Sequence, residues 1–192
     1  MKTAIVTGPA VYPITVEEFT AFARVDSTAE DVLISALIGM ATAHVENIAW
    51  RKLITQTWRV YFDYFSGEVI HLPFGSLQSV SSVKYTDTDE AEHTVSADLY
   101  SVDAVGEPGS VFLKDGQSWP DADLQPVNGV CIEFVCGYGD AEDVPEAIKT
   151  AIKLMAAHLY ENREIINFSS FDLNEIPQSF NALLANYRLK RF

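Results

Sequence analysis

The sequence of 192 residues predicts an α+β fold, with N- and C-terminal helices forming a helical bundle and an antiparallel β domain inserted between them. Three observations carry this. Apolar residues recur at helical spacing over Ala29–Trp50 and again over Glu146–Leu159. Between those stretches the pattern changes to alternation with a period of two. Gly, Pro and Ser-rich breaks then cut the alternating region into short runs. The organisation that follows is a first helical part at 1–52, a β-rich insertion at 53–138, and a second helical part with a terminal tail at 139–192.

The first helical part opens with Thr15 and Glu18, spaced as a capping box, which predicts a short helix to about Arg24. Asp26, Ser27 and Thr28 stop it and cap a second helix from about Ala29 to Trp50. Leu33, Leu37, Ala41, Val45 and Ile48 form its apolar stripe, widened by Ile34 and Ile38. Glu30 and Asp31 at its start, and Arg51 and Lys52 at its end, suit the helix dipole.

In the insertion, Trp58, Val60 and Phe62 alternate with Arg59, Tyr61 and Asp63 as on a strand. A Ser-Gly turn leads to a strand in EVIHL, and Pro73, Phe74 and Gly75 break the chain. SLQSVSSVKYTD reads as the next strand, with Val83 and Tyr85 on one face, and the acidic run DTDEAE marks a hairpin tip. Strands near His93–Val95, Leu99–Val102 and in SVFLK follow, then a long loop, DGQSWPDADLQPVNG. Val130, Ile132, Phe134 and Cys136 alternate with Cys131, Glu133 and Val135 in the last strand. Six or more short strands predict an antiparallel sheet or small barrel.

Gly137 and Gly139 release the chain into the second helical part. Asp143, Pro145 and Glu146 read as a helix start. Ile148, Ile152, Met155 and Leu159 form the stripe, with Ala151 and Ala156 small enough for close packing. Leu37 and Ile152 are the expected core contacts between the two long helices. Phe168–Ile176 reads as a loop, and Pro177 opens a last helix to about Tyr187, with Phe180, Leu183 and Leu184 on one side.

Composition narrows the function. A net charge of −14, from 13 basic and 27 acidic residues, opposes a phosphate-gripping surface and favours basic partners. No apolar run is expected to reach the length that crosses a bilayer. MKTAIVTGPAVYP, with one lysine and a patch broken by Gly8 and Pro9, is a poor signal peptide. Cys131 and Cys136 point to opposite faces of one strand and read as buried free thiols.

Catalytic and metal patterns are thin. Asp87, Asp89, Glu90 and Glu92 lack the glycine and ligand spacing of a calcium loop, so a solvated turn is the plainer reading. His44, His71, His93 and His158 are scattered without zinc spacing. No serine elbow or phosphate loop is present, and Glu161 and Glu164 read as a charged helix end. No catalytic residue, cofactor or metal is assigned. The tail differs in charge, because no acid follows Glu175 while Arg188, Lys190 and Arg191 precede a terminal Phe192. It reads either as a solvated end or as a docking segment.

Taken in order, several stretches resemble the head-tail connector (adaptor) proteins of tailed bacteriophages and prophages, in the subgroup with a β insertion in a helical core. They are PITVEEFTAFARVDSTAEDVLISALIGMATAHVE, LITQTWRVYFDYFSGEVIHLPFGSLQSVSSVKYTD, the SWPDA loop, CIEFVCGYGD, VPEAIKTAIKLMAAHLYENRE and LLANYR. The resemblance spans nearly the whole chain. It departs in the Phe- and Asn-rich stretch between Glu164 and Pro177 and in the basic end after Tyr187. It implies a structural, non-enzymatic virion protein, assembled in the host cytoplasm and needing no cofactor. Such a protein forms a homo-oligomeric ring, twelve-fold beneath the portal protein, extends the DNA channel without reading the DNA, and docks further connector or tail proteins. Arg188, Lys190, Arg191 and Phe192 are then the expected portal-docking residues, and Asp115–Gly129 and Asp87–Glu92 the segments expected to reach a neighbouring copy. Two alternatives stand beside it. One is a ligand-binding β module using Trp58, Tyr61, Tyr64 and Trp119, and the other a small metal-assisted hydrolase using Glu161 or the acidic hairpin.

Overall fold

The computed structural model describes residues 1–162 and 178–189, which divide into two compact units. One comprises Met1–Pro9 and Thr55–Tyr138, the other Ala10–Ile54 and Gly139–Phe192. With four α-helices and two antiparallel sheets among the described residues, the fold is α+β.

The β unit holds a five-stranded sheet in the order β1 (Lys2–Thr7), β2 (Gln56–Phe62), β8 (Val130–Cys136), β4 (Leu77–Thr86) and β5 (Glu92–Thr94). A three-stranded sheet has the order β3 (Val69–His71), β7 (Ser110–Leu113) and β6 (Tyr100–Asp103). β8 pairs with both β2 and β4. The register aligns Val60, Ile132 and Val83 across three strands, and all three are fully buried. The alternate residues Arg59 and Glu133 face the other way and form an ion pair at 2.8 Å. Register shifts in β4, between Leu77 and Ser79 and between Val80 and Ser82, interrupt its alternation. That is why its polar run SLQSVSS is poorly periodic.

The small sheet buries Ile70 and Val111. An aromatic relay connects it to the large one. Tyr85 of β4 meets Phe65 edge-on, Phe65 stacks on Trp119 at 4.9 Å, and Trp119 lies 6.4 Å from Tyr100 of β6. Trp119 also donates from Nε1 to the Gly67 carbonyl at 2.7 Å. A Cβ at Gly109 would press on the Leu77 side chain, so glycine permits that close approach.

Strand β1 lies in the stretch whose sequence suggests only a poor signal peptide. It pairs with β2 as an edge strand, with all six residues exposed. With neither face buried, no strict inside-outside alternation is imposed, so its sequence lacks that mark.

In the helical unit, α1 (Val16–Ala23) starts on the predicted capping box. Glu18 N–H donates to Thr15 Oγ1 at 3.1 Å, and Thr15 N–H to Glu18 Oε2 at 2.8 Å. Ser27 Oγ accepts from Ala29 N–H and opens a single 3₁₀ turn, Thr28–Glu30, before α2 (Asp31–Ala49). The buried stripe of α2 is Ile34, Leu37, Ile38, Ala41, Val45 and Ala49. Leu33, expected on it, is 38% exposed, and Ile48 is half-buried. The stripe is therefore rotated from the predicted one, because Ile34 and Ile38 form its centre rather than its margin.

The α3 helix (Glu146–Glu161) buries Ile148, Ala151, Ile152, Met155 and Ala156 and packs against α2. Asp143, expected to cap it, closes the preceding 3₁₀ turn instead, by accepting from Asp140 N–H at 2.9 Å. Gly139, at φ +142°, lies so close to that carboxylate that a Cβ there would clash. The α4 helix (Gln178–Leu184) places Phe180 and Leu184 fully inside. The loop predicted at Phe168–Ile176 and the start at Pro177 lie outside the described residues.

One expectation fails by length. Thr28–Ala49 spans 22 residues, and its most apolar 18-residue window has a mean hydropathy of 1.5, long and apolar enough to cross a membrane. Its buried stripe belongs to the core of the helical unit, where a long apolar helix arises from packing against α3.

Leu37 is 4% exposed and Ile152 fully buried. Leu37→Ala and Ile152→Ala should each lower the unfolding free energy by about 2–5 kcal/mol in urea denaturation. Val32→Ala, at a position 88% exposed on the same helix, should stay within about 0.5 kcal/mol of the parent. Equal effects at the three sites would contradict this packing.

Candidate interaction surfaces

The C-terminal segment is built into the helical unit as far as Leu189. Arg51, only 5% exposed, donates from Nε to the Tyr187 carbonyl at 2.6 Å. Leu189 N–H donates to the Ala49 carbonyl at 3.0 Å, at the C-terminal end of α2. That carbonyl is one of those that a helix end leaves without an intrahelical donor. Arg188 is exposed and donates from Nη2 to Asn181 Oδ1 at 2.7 Å. Lys190, Arg191 and Phe192 lie outside the described residues.

Of the expected docking residues, only Arg188 is thus described, and it lies between Tyr187 and Leu189, which help to close the helical unit. Arg51, read as a dipole partner, has this second role. No sequence signal announces it, since its acceptor lies 136 residues away.

In the β unit, the acidic hairpin and the long loop meet. Thr88 N–H donates to the Asp123 carbonyl at 3.1 Å, Gln125 N–H to the Thr86 carbonyl at 3.0 Å, and Asp87 and Leu124 form a β-bridge. Asp87 organises the tip. Its carboxylate accepts from Asp89 and Ala91 amides at 2.9 and 3.0 Å and pairs with His93 Nε2 at 2.6 Å. These bonds, that with His93 foremost, hold the Asp87 carboxyl below its ordinary range. The acid anchors the hairpin rather than facing a cation. Among the described residues, no group of three or more His, Cys, Asp or Glu gathers to hold a metal ion.

The outer face of the large sheet carries a polar depression of about 230 Å³. Ion pairs Arg59–Glu133 at 2.8 Å and Lys84–Glu92 at 2.6 Å lie within it, beside Tyr61, Asn128 and Cys131. Alternation in β2 and β8 puts these residues on one face, but joining them across strands needs the register. Cys131 is half-buried rather than buried, and burial pushes its thiol up, away from the thiolate a nucleophile needs. Cys136 is buried on the opposite face.

The four aromatics considered for ligand binding do not converge. Trp58 turns to the buried side and meets Phe74 edge-on at 5.0 Å, while Tyr61 lies in the outer depression. Tyr64 is 68% exposed, and Trp119 belongs to the relay between the sheets. Glu161 is exposed at the end of α3.

No family model matches the chain, and no curated protein matches it significantly. Solved structures do. A chain from the neck of an empty gene transfer agent (GTA) particle, computed with C6 symmetry, aligns with a TM-score of 0.83 at 22% identity. The alignment covers 100% of this chain and 97% of that one. A chain from the virion of a native GTA particle aligns at 0.82 and 23%, and one from the neck of a native particle, computed with C12 symmetry, at 0.80 and 21%. Coverage is again 100% of this chain and 97% of each neighbour. At these identities the likeness is one of fold.

Two predictions follow from the helical unit. A truncation that removes 190–192 keeps the Tyr187 and Leu189 bonds and serves as the reference. One that removes 187–192 takes the Tyr187 acceptor from buried Arg51 and the Leu189 donor from Ala49, and should cost about 1–3 kcal/mol, a loss of several degrees. Equal melting temperatures for the two truncations would show that residues 187–189 add nothing to the fold.

Burial holds the His44 imidazole, 6.0 Å from the Phe180 ring, below its ordinary range. Below the unfolded-state value of about 6.5, the unfolded chain then binds more protons than the folded one, so stability falls as pH drops. The urea midpoint should decline from pH 7.5 to 5.5, where the carboxylates stay ionised, and His44→Gln should flatten that decline. An unchanged slope in the variant would clear His44 of the effect.

Proposed function

We propose that the chain is a structural neck component of a phage-like particle, a head-tail connector. It assembles as a homo-oligomeric ring, twelve-fold beneath the portal, extends the DNA channel and docks further connector or tail proteins. The observation that supports this best is the end-to-end likeness to GTA neck chains, which covers 100% of this chain and 97% of theirs. Such coverage in both directions argues for the same kind of part rather than a shared module within something larger. Those necks were computed with C6 and C12 symmetry, and the ring is carried to this chain on that basis.

The role is mechanical, with no catalysis, cofactor or membrane. A surface with a net charge of −14 suits a channel through which DNA slides, because carboxylates do not hold phosphates. The particle is the site of action, and assembly takes place in the host cytoplasm. Arg188, Lys190, Arg191 and Phe192 contact the portal, with the segment rooted on the helical unit at Leu189. Three positive charges steer docking over a Debye length of about 8 Å, and Phe192 adds apolar burial.

Cryo-microscopy of the purified portal incubated with this protein tests the assignment. The expected image is a closed ring of twelve copies below the portal. Removing 190–192 should weaken attachment, and the wild-type affinity should fall with added salt more steeply than that of the truncated chain. A protein that stays monomeric and leaves portals bare at low salt would refute the connector function. Unchanged affinity of the truncated chain across a salt series would refute only the role of the tail.

A further inference from the structure

The helical unit leaves much of α2 uncovered. In the most apolar 18-residue window of Thr28–Ala49, only 39% is buried. At 100° per residue, Val32, Ala36, Gly39 and Ala43 line the side opposite the core stripe. Val32 is 88% exposed, and Ala36 and Ala43 are exposed. Tyr12 extends the stripe, since its hydroxyl end lies where a Cβ at Gly39 would fall and its side chain is 44% exposed. No charged residue occurs from Val32 to Val45, in a chain of which 21% is charged. A helix that faces water ordinarily carries charge on that side.

We propose that this outer face of α2 is one half of an interface with a second copy of the chain. The inference rests on the connector reading and names a surface that builds the ring. Charge selects the occupant. Two copies, each at −14, repel over most of their surface, and they approach at least cost where a face is neutral. A closed ring requires two different patches to meet, so the α2 face seats on another surface of the next copy. Ala36 and Ala43 keep the approach close. A bilayer suits the face less well. Glu30 and Asp31 flank one end, and Lys52 at the other is paired with Glu46 at 2.8 Å, so no net positive charge meets anionic headgroups.

The test uses the full chain assembled on its portal. A photo-crosslinking benzoylphenylalanine is placed at Ala36, and heavy-isotope-labelled and unlabelled copies are mixed before illumination. Cross-linked peptides that join a labelled to an unlabelled copy are the expected product. Ala36→Glu should keep the wild-type urea midpoint while ring occupancy on portals falls about tenfold or more, as expected for a charge buried without a partner. Cross-links confined to one copy, to the portal or to added lipid vesicles would overturn the inference, as would normal occupancy for a folded Ala36→Glu. If wild-type protein forms no ring at all, the connector reading itself fails. If rings form and Ala36 is not at their interface, only the α2 assignment fails.

Discussion

The pairing of β8 with two strands at once is the constraint on which the β unit depends. Among the described residues β8 is the last strand, yet it sits at the centre of the large sheet between β2 and β4. The strands formed before it cannot complete that sheet without it. What fixes its register is the row Val60–Ile132–Val83, buried to 0% exposure. Burying one such side chain contributes about 1.5–3 kcal/mol, against about 0–1 kcal/mol for an exposed ion pair such as Arg59–Glu133. The apolar row therefore dominates. A slip of one residue would send Cys131 and Glu133 into the core. The ion pair reports the register more than it creates it.

The helical unit closes by a different means. Its interior is apolar, from Ile34, Leu37 and Ile38 of α2 to Ile148 and Ile152 of α3 and Phe180 and Leu184 of α4. Its end is polar. Arg51 and the Ala49 carbonyl each engage backbone of the C-terminal segment, so a stretch that looks like a tail is partly structural. Buried polar groups are costly unless partnered, which is why these bonds matter more than their number suggests.

Two further features stand out on the surface. The acidic hairpin and the long loop are knitted into one tip by backbone bonds, and Asp87 spends its lone pairs on the turn itself. The neutral outer face of α2 and the basic terminus are exceptions to an acidic surface.

Local signals in the sequence determined the elements whose causes are local. The capping box at Thr15 and Glu18, the alternation of β8 and the helical period around Ile152 all declare themselves, because each depends on neighbours within a few residues. The α+β class followed from them. Tertiary structure decided the rest. β1 has no buried face to pattern it, so only its pairing with β2 makes it a strand. The α2 stripe turned toward Ile34 and Ile38 because burial is set by what packs on a helix, not by its own hydrophobicity. The acceptor of Arg51, the outer depression around Arg59 and Lys84, and the aromatic relay through Trp119 join residues that lie far apart in the chain. No periodicity encodes such pairs, and folding alone brings them together.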